Sequence, residues 1–305
     1  MTSPAPQTDA DFAAAPLRPQ ILTPPPQRSR RMALLMEHPT LWIGLILLAL
    51  VALMALFAPL IATSDPAALN PAMRVRPPSA EAWFGTDMLG RDIFSRTVYG
   101  ARVSLIVGVG VALCASAVGL AIGLLSGFLR WADNIVMRVM DGLMSIPAIL
   151  LAIALMTLMR GGSVFNVIVA ITIAEIPRVA RLTRSVVLSA REQPYVEAGT
   201  ACGTSTFGII RKHIMPNTLA PLTVQATYIC ASAMITEAIL SFIGAGMPSS
   251  IPSWGNIMAE GRALWQVKPS IVFFPAIFLS VTVLAVNLLG DGLRDAVDPR
   301  LAKQV

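Results

Sequence analysis

From Leu41 onward the chain alternates between long apolar blocks and short polar stretches. A bilayer's hydrocarbon core, ~30 Å thick, needs about 20 apolar residues as helix, and several blocks reach that length without an acidic or basic residue. The pattern predicts spans over 41–61, 103–128, 136–159, 164–188, 217–245 and 271–290, an all-α polytopic membrane protein with six transmembrane helices. The fourth block is interrupted in its second half by Glu175, Pro177, Arg178, Arg181 and Arg184. That end is expected to project into water with its arginines snorkelling.

Composition supports this solvent. Of 305 residues, 55% are hydrophobic and 13% charged, with a mean hydropathy of +0.69, outside the balance of a soluble domain. Residues 1–27 are rich in proline, alanine and small polar residues, including Pro24, Pro25 and Pro26, a composition that predicts a disordered tail. Arg28, Arg30 and Arg31 then precede the first block, which is too long for a signal peptide's ~7–15-residue apolar region and is expected to stay as an anchor.

The net charge of +6 suggests nucleic acid at first sight, but the cations lie at the ends of apolar blocks, not in one stripe. Membrane topology accounts for them: with both termini inside, fifteen of the 23 Lys and Arg fall on the cytoplasmic side. Cys114, Cys202 and Cys230 share no close spacing and read as small buried packing residues, and His38 and His213 are the only histidines, so neither a disulfide framework nor a metal site is indicated. There is no G-x-x-x-x-G-K-[ST] phosphate loop and no Ser/His/Asp or Cys/His set in a plausible loop. Any nucleotide hydrolysis therefore belongs to another chain.

Gly119, Gly123 and Gly127 recur every four residues, so they share a helix face and admit a neighbouring backbone. Asp141 is expected to pair with Arg138, three residues before it. Glu237, within the fifth span, either lines a translocation path or makes a structural hydrogen bond; Glu175 carries the same ambiguity, with Arg178 as its obvious structural partner. The outer connection over 62–102 mixes Trp83, Phe84, Ile93, Phe94 and Tyr99 with Asp87, Arg91, Asp92 and Arg96, a mixture suited to a bilayer interface. Within it Gly85-Thr86-Asp87 is expected to turn and cap the next helix. This connection and the 246–270 loop either cover the outer mouth of the bundle or touch a partner on that side.

Between the fourth and fifth blocks lies VEAGTACGTSTFGIIRKHIMP (196–216), too polar and glycine-rich to cross a bilayer. Pro194 can open a short helix and Glu197 favours the positive end of its dipole. Gly203 can end it, after which Ser205 or Thr206 can cap a second helix running to Met215, before Pro216. Two short helices joined by a glycine turn would make a compact knob, which could merely join two spans.

The order of residues suggests more. Glu197-Ala198-Gly199, then Gly203, then Met215-Pro216, resembles the Glu-Ala-Ala loop of ABC-importer permeases. Gly199 replaces the second alanine of that pattern, His213 an isoleucine and Met215 a leucine; Gly199 lowers helix propensity in the first short helix. WFGTDMLGRDIFSRTVYGARVSL (83–105), EAILSFIGAGMPSSIPSWGNIM (237–258), NLLGDGLRDAVDPRL (287–301), HPTLWIG (38–44) and APLIA (58–62) are similar to the second permease of dipeptide and oligopeptide ABC importers. EIPRVAR (175–181) departs from these relatives, which tend to carry aromatic residues at the positions of Ile176 and Val179.

The resemblance implies an anchor helix plus a five-helix core of the methionine-importer type in a bacterial inner membrane. It also implies a homologous second permease, two ATP-binding subunits that hold ATP and Mg, and a periplasmic substrate-binding protein. The chain itself would hold no cofactor and would not be an enzyme. It divides into a cytoplasmic tail (1–37), an anchor (38–62), a periplasmic connection (63–102), a core (103–292) with coupling loop 190–216 and periplasmic loop 246–270, and a cytoplasmic end (293–305). Glu197, Ala198, Gly199, Gly203, Arg211 and Pro216 would form the ATPase-coupling element. Expected cargo is dipeptides or oligopeptides, with nickel or glutathione as alternatives. A proton-coupled secondary carrier using Glu175 and Glu237 is a rival from another class, opposed by the lack of inverted repeats of broken helices. A membrane-anchored scaffold or receptor would need a larger soluble domain.

Overall fold

The computed structural model describes residues 39–159 and 162–297; the expected tail over 1–37 and the chain beyond 297 lie outside the described residues. Helix α1 (Pro39–Leu56) is apolar throughout, and Gly44, Val51 and Ala55 form its buried side. Gly44 sits against the backbone of Ala285 and Leu289 in α10 (Ser270–Val297), an approach that admits no side chain. Arg102 closes the other end of α1, its guanidinium donating to the carbonyls of Ala55 (2.6 Å) and Leu56 (3.1 Å), which the helix leaves without intrahelical donors.

Helix α2 (Ile93–Phe128) starts earlier than the expected span because Asp92, not Asp87, caps it. The Asp92 carboxylate accepts from the backbone N–H of Phe94 and Ser95 and from the Thr63 hydroxyl at 2.6 Å. Asp87 instead sits in a buried ion cluster. Its Oδ2 accepts from Arg91 (2.7 Å) and Arg96 (2.6 Å), and both guanidiniums also pair with Glu260. This ties the connection to helix α9 (Trp254–Gly261). Trp254 is fully buried, and its indole N–H donates to the Thr97 carbonyl at 2.9 Å, the usual need of a buried Trp. Phe84 stacks on Phe274 with ring centroids 3.8 Å apart and meets Phe94 edge-on. Ile93 and Phe94 are therefore packed inside the protein, not spread along a bilayer interface.

The expected span over 136–159 is two helices, α3 (Arg130–Met144) and α4 (Ala148–Leu158), bent by 93°. Pro147 disfavours helical backbone at Ile146, and the Ser145 hydroxyl donates to the Gly142 carbonyl at 2.7 Å. Asp141 pairs with Arg181 at 2.6 Å across helices, in place of the expected Arg138. Both groups are more than half exposed, so the pair contributes little.

Helix α5 (Val164–Arg191), capped by Ser163, runs along α2. A Cβ on Gly119 would strike Val179, one on Gly123 would strike Thr183, and one on Gly127 would strike Val187. The expected glycine face exists, and its partner is an equally spaced row on α5. Helix α8 (Met215–Ile243) contributes Ile229, Ala233 and Met234 to the main core, where they meet Val107 and Val111 of α2 and Ile171 of α5. Of the cysteines only Cys230 is buried; Cys114 and Cys202 are exposed, contrary to the packing role expected of all three.

By length and composition, Pro39–Leu56, Ile93–Phe128, Thr206–Ile243 and Ser270–Ala296 can cross a bilayer, and the bent pair adds a fifth if it is one span. Helix α5, 28 residues long, falls outside that set because of its charges. Composition alone thus yields four spans among the described residues, or five if the bent pair is one, with α5 outside that test. Leu50, Leu113, Leu150 and Leu284 are exposed along these helices, as lipid-facing or subunit-facing positions would be.

Candidate functional site

At one end of the bundle, α5 gives way to a knob. Pro194, at a position where a missing N–H is harmless, opens α6 (Pro194–Ala201), which holds Glu197 in its first turn. Gly203 follows with φ +78°, a left-handed conformation that costs any Cβ-bearing residue roughly 1–2 kcal/mol. The chain reverses there. Ser205 then caps α7 (Thr206–Ile209) by accepting from the Gly208 N–H at 3.3 Å.

The second arm does not stop before Pro216 as the sequence suggests. Residues Ile210–Ile214 form a π-helical turn, with the Met215 N–H donating to the Ile210 carbonyl, and the chain passes straight into α8. Proline supplies no N–H and its ring crowds the preceding turn; widening that turn is how the helix continues through Pro216. One arm of the knob is therefore fused to a span of 38 residues, Thr206–Ile243.

The knob has an apolar underside and a polar outer face. Val196, Ile209 and Ile214 are buried against Val187 and Ala190 of α5, with Leu124 and Phe128 of α2 beside them. Asn217 bridges the arms, its side-chain amide donating to the Tyr195 hydroxyl (3.2 Å) and the His213 carbonyl (2.6 Å). Outward lie Glu197, Ala198, Gly203, Arg211 and Pro216, all exposed, with Gly199 half-buried. Beside them Phe207 is 72% exposed, a large apolar side chain on the knob's otherwise polar outer face. Sequence reasoning passed over Phe207, although an aromatic residue one place after the capped start of α7 was the available signal.

Glu237 is fully buried on α8. One carboxylate oxygen accepts from the Ser241 hydroxyl at 2.9 Å, and Ser104 and Ser253 stand beside it. Glu175 pairs with Arg178 at 3.0 Å, as its spacing suggests. The structure does not bring Glu175 or Glu237 near the knob's outer face. Sequence reasoning also missed Glu260, because nothing local links it to Asp87 and the arginines beyond the chain's return at α9.

Residues 119–303 match the family model described as the binding-protein-dependent transport system inner membrane component, and residues 30–78 match the N-terminal TM domain of oligopeptide transport permease C. A probable peptide ABC transporter permease protein of Sinorhizobium fredii is 53% identical over 87% of this chain and 90% of its own length. The dipeptide transport system permease protein DppC of Alkalihalophilus pseudofirmus is 44% identical over 85% of each. The inward-facing MetNI methionine ABC transporter aligns with 68% of this chain and 98% of its own at a TM-score of 0.54 and 20% identity, a likeness of fold alone. The chain belongs to the family of inner-membrane components of binding-protein-dependent transport systems.

Proposed function

We propose that this chain is one permease subunit of an ATP-driven peptide importer and that the 194–214 knob receives the force of ATP hydrolysis from a separate subunit. The observation that carries the proposal is the continuity of the knob with α8: α7 and the span form one unbroken helical run, so a push on α7 is carried towards the core. Glu197 would meet a basic residue of the ATPase, Phe207 would enter its cleft, and Arg211 would support the contact. Gly203 would keep the two arms folded back on each other. ATP and Mg would be bound by those partner subunits. A homologous second permease would complete the pathway, and a binding protein would deliver cargo at the opposite face. Each partner would act by its differential affinity for inward-open and outward-open arrangements. The excess of Lys and Arg on one side supports cytoplasmic termini and a cytoplasmic knob. Peptide cargo is supported by the relatives named for peptides and dipeptides. The bond from the Ser241 hydroxyl to Glu237 favours a structural role for that carboxylate over a place in the path.

The test is Glu197→Lys in the reconstituted importer, with uptake and ATP hydrolysis measured together. Uptake is expected to fall at least about tenfold, as for a reversed interfacial charge worth roughly 1.4 kcal/mol or more, while basal hydrolysis continues. Wild-type uptake by Glu197→Lys would contradict the docking role.

A further inference from the structure

The bend between α3 and α4 opens a cavity of about 400 Å³ beside the first turn of α4, bounded by α5, α8 and Asn287 of α10. That is within the roughly 300–1,000 Å³ of small-molecule sites. Its walls include Ile149, Ile235 and Ile239, and its polar groups are Ser232, Thr236, Tyr228 and the pair Glu175 and Arg178. The pair is asymmetric: the Glu175 side chain is 5% exposed and that of Arg178 44%. Among the described residues, a guanidinium with five N–H donors makes one bond, to Glu175 at 3.0 Å, and otherwise lies over the Tyr228 ring at 5.7 Å. Both residues lie on α5, three apart, so the pair ties no two helices together and leaves most of the guanidinium's donors open to the cavity.

Resting on the peptide-permease reading above, we propose that this cavity is a transit site for a short zwitterionic peptide, whose carboxylate takes Arg178 and whose ammonium takes Glu175. Two physical arguments support this chemistry. A zwitterion inserted into an existing ion pair leaves every charge partnered, whereas a peptide blocked at its amino end leaves the buried Glu175 carboxylate without a partner. The termini of a dipeptide lie at most about 7 Å apart, a gap that the exposed, flexible Arg178 side chain can open by swinging from Glu175 while Ile235 and Ile239 receive the peptide's side chains. Because the ligand must break that pair to bind, its affinity stays low, as passage requires of any intermediate site.

The experiment uses the assembled importer carrying Thr236→Cys, a near-isosteric change on the cavity wall, without the binding protein. Alkylation at position 236 is followed by mass spectrometry with dialanine, with N-acetyl-dialanine amide, and with neither. Dialanine at millimolar concentration is expected to slow alkylation at least fivefold, and the doubly blocked peptide to leave it unchanged. Adding Arg178→Gln to Thr236→Cys is expected to abolish the protection by dialanine. Equal protection by both peptides, or none by dialanine, overturns the assignment. If the wild-type importer takes up dialanine and protection is still missing, only this inference falls; if it takes up no peptide, the preceding reading falls and takes this one with it.

Discussion

Gly203 and Gly199 stand four residues apart in the knob and answer to different constraints. At Gly203 an added Cβ meets nothing within 4 Å, so Gly203→Ala acts through its positive φ alone. Roughly 1–2 kcal/mol of local stability should be lost, seen as faster amide exchange over 194–214. Gly199 is an ordinary helical residue whose Cβ would stand 3.8 Å from the His213 ring, normal van der Waals distance. Gly199→Ala should therefore stabilise α6 by about 0.5–1 kcal/mol, measured as slower exchange over Pro194–Ala201; faster exchange would mean that the helix is not formed in the membrane. The turn at Gly203 and the start at Pro194 were readable because proline and glycine each announce a single backbone requirement. Carboxylates were harder. Asp87, Asp92 and Asp141 all sit near helix starts or arginines in sequence, and only the packed structure decides that Asp92 caps, Asp87 joins Arg91 and Arg96, and Asp141 reaches Arg181.

Between elements, spacing revealed a face without revealing what lies on it. The repeat at Gly119, Gly123 and Gly127 implied close packing, but its partner row at Val179, Thr183 and Val187 belongs to a helix that the charge pattern made the least certain of all. Gly123→Val should push α2 from α5 and, at the roughly 1–3 kcal/mol of an overpacked interface, lower the thermal midpoint of the purified importer by several degrees; an unchanged midpoint would mean the two helices are not held in this register. Asp87→Asn should be worse. It leaves two buried guanidiniums sharing Glu260, and breaking such a cluster costs about 3–5 kcal/mol, so the variant should be recovered from membranes in much lower yield than Glu81→Gln on the exposed stretch nearby. Breaks in helices were concealed for a different reason. Pro147 sits within an apolar run of spanning length, so hydropathy counted through it, while Pro216 looked like an end because the π-turn that carries the helix past it has no signature in composition.

Across the whole molecule the helices form one packed body in which the knob is continuous with a span and the ion cluster with Trp254 closes the connection onto α9. Hydropathy was enough to read the all-α membrane architecture, and the asymmetry of Lys and Arg suggested a direction. The path between helices was not legible, because which residues share a cavity depends on contacts between positions far apart in sequence, as with Pro147, Glu175 and Asn287. Cys202, exposed in the knob, offers the most direct measurement once Cys114, also exposed, is replaced by serine: thiol cross-linking in whole membranes, paired with labelling by an impermeant maleimide from either side. A covalent adduct between Cys202 and a nucleotide-hydrolysing subunit is expected, with labelling from the cytoplasmic side alone. Labelling from the outer side, with no adduct formed, would contradict cytoplasmic docking of the knob.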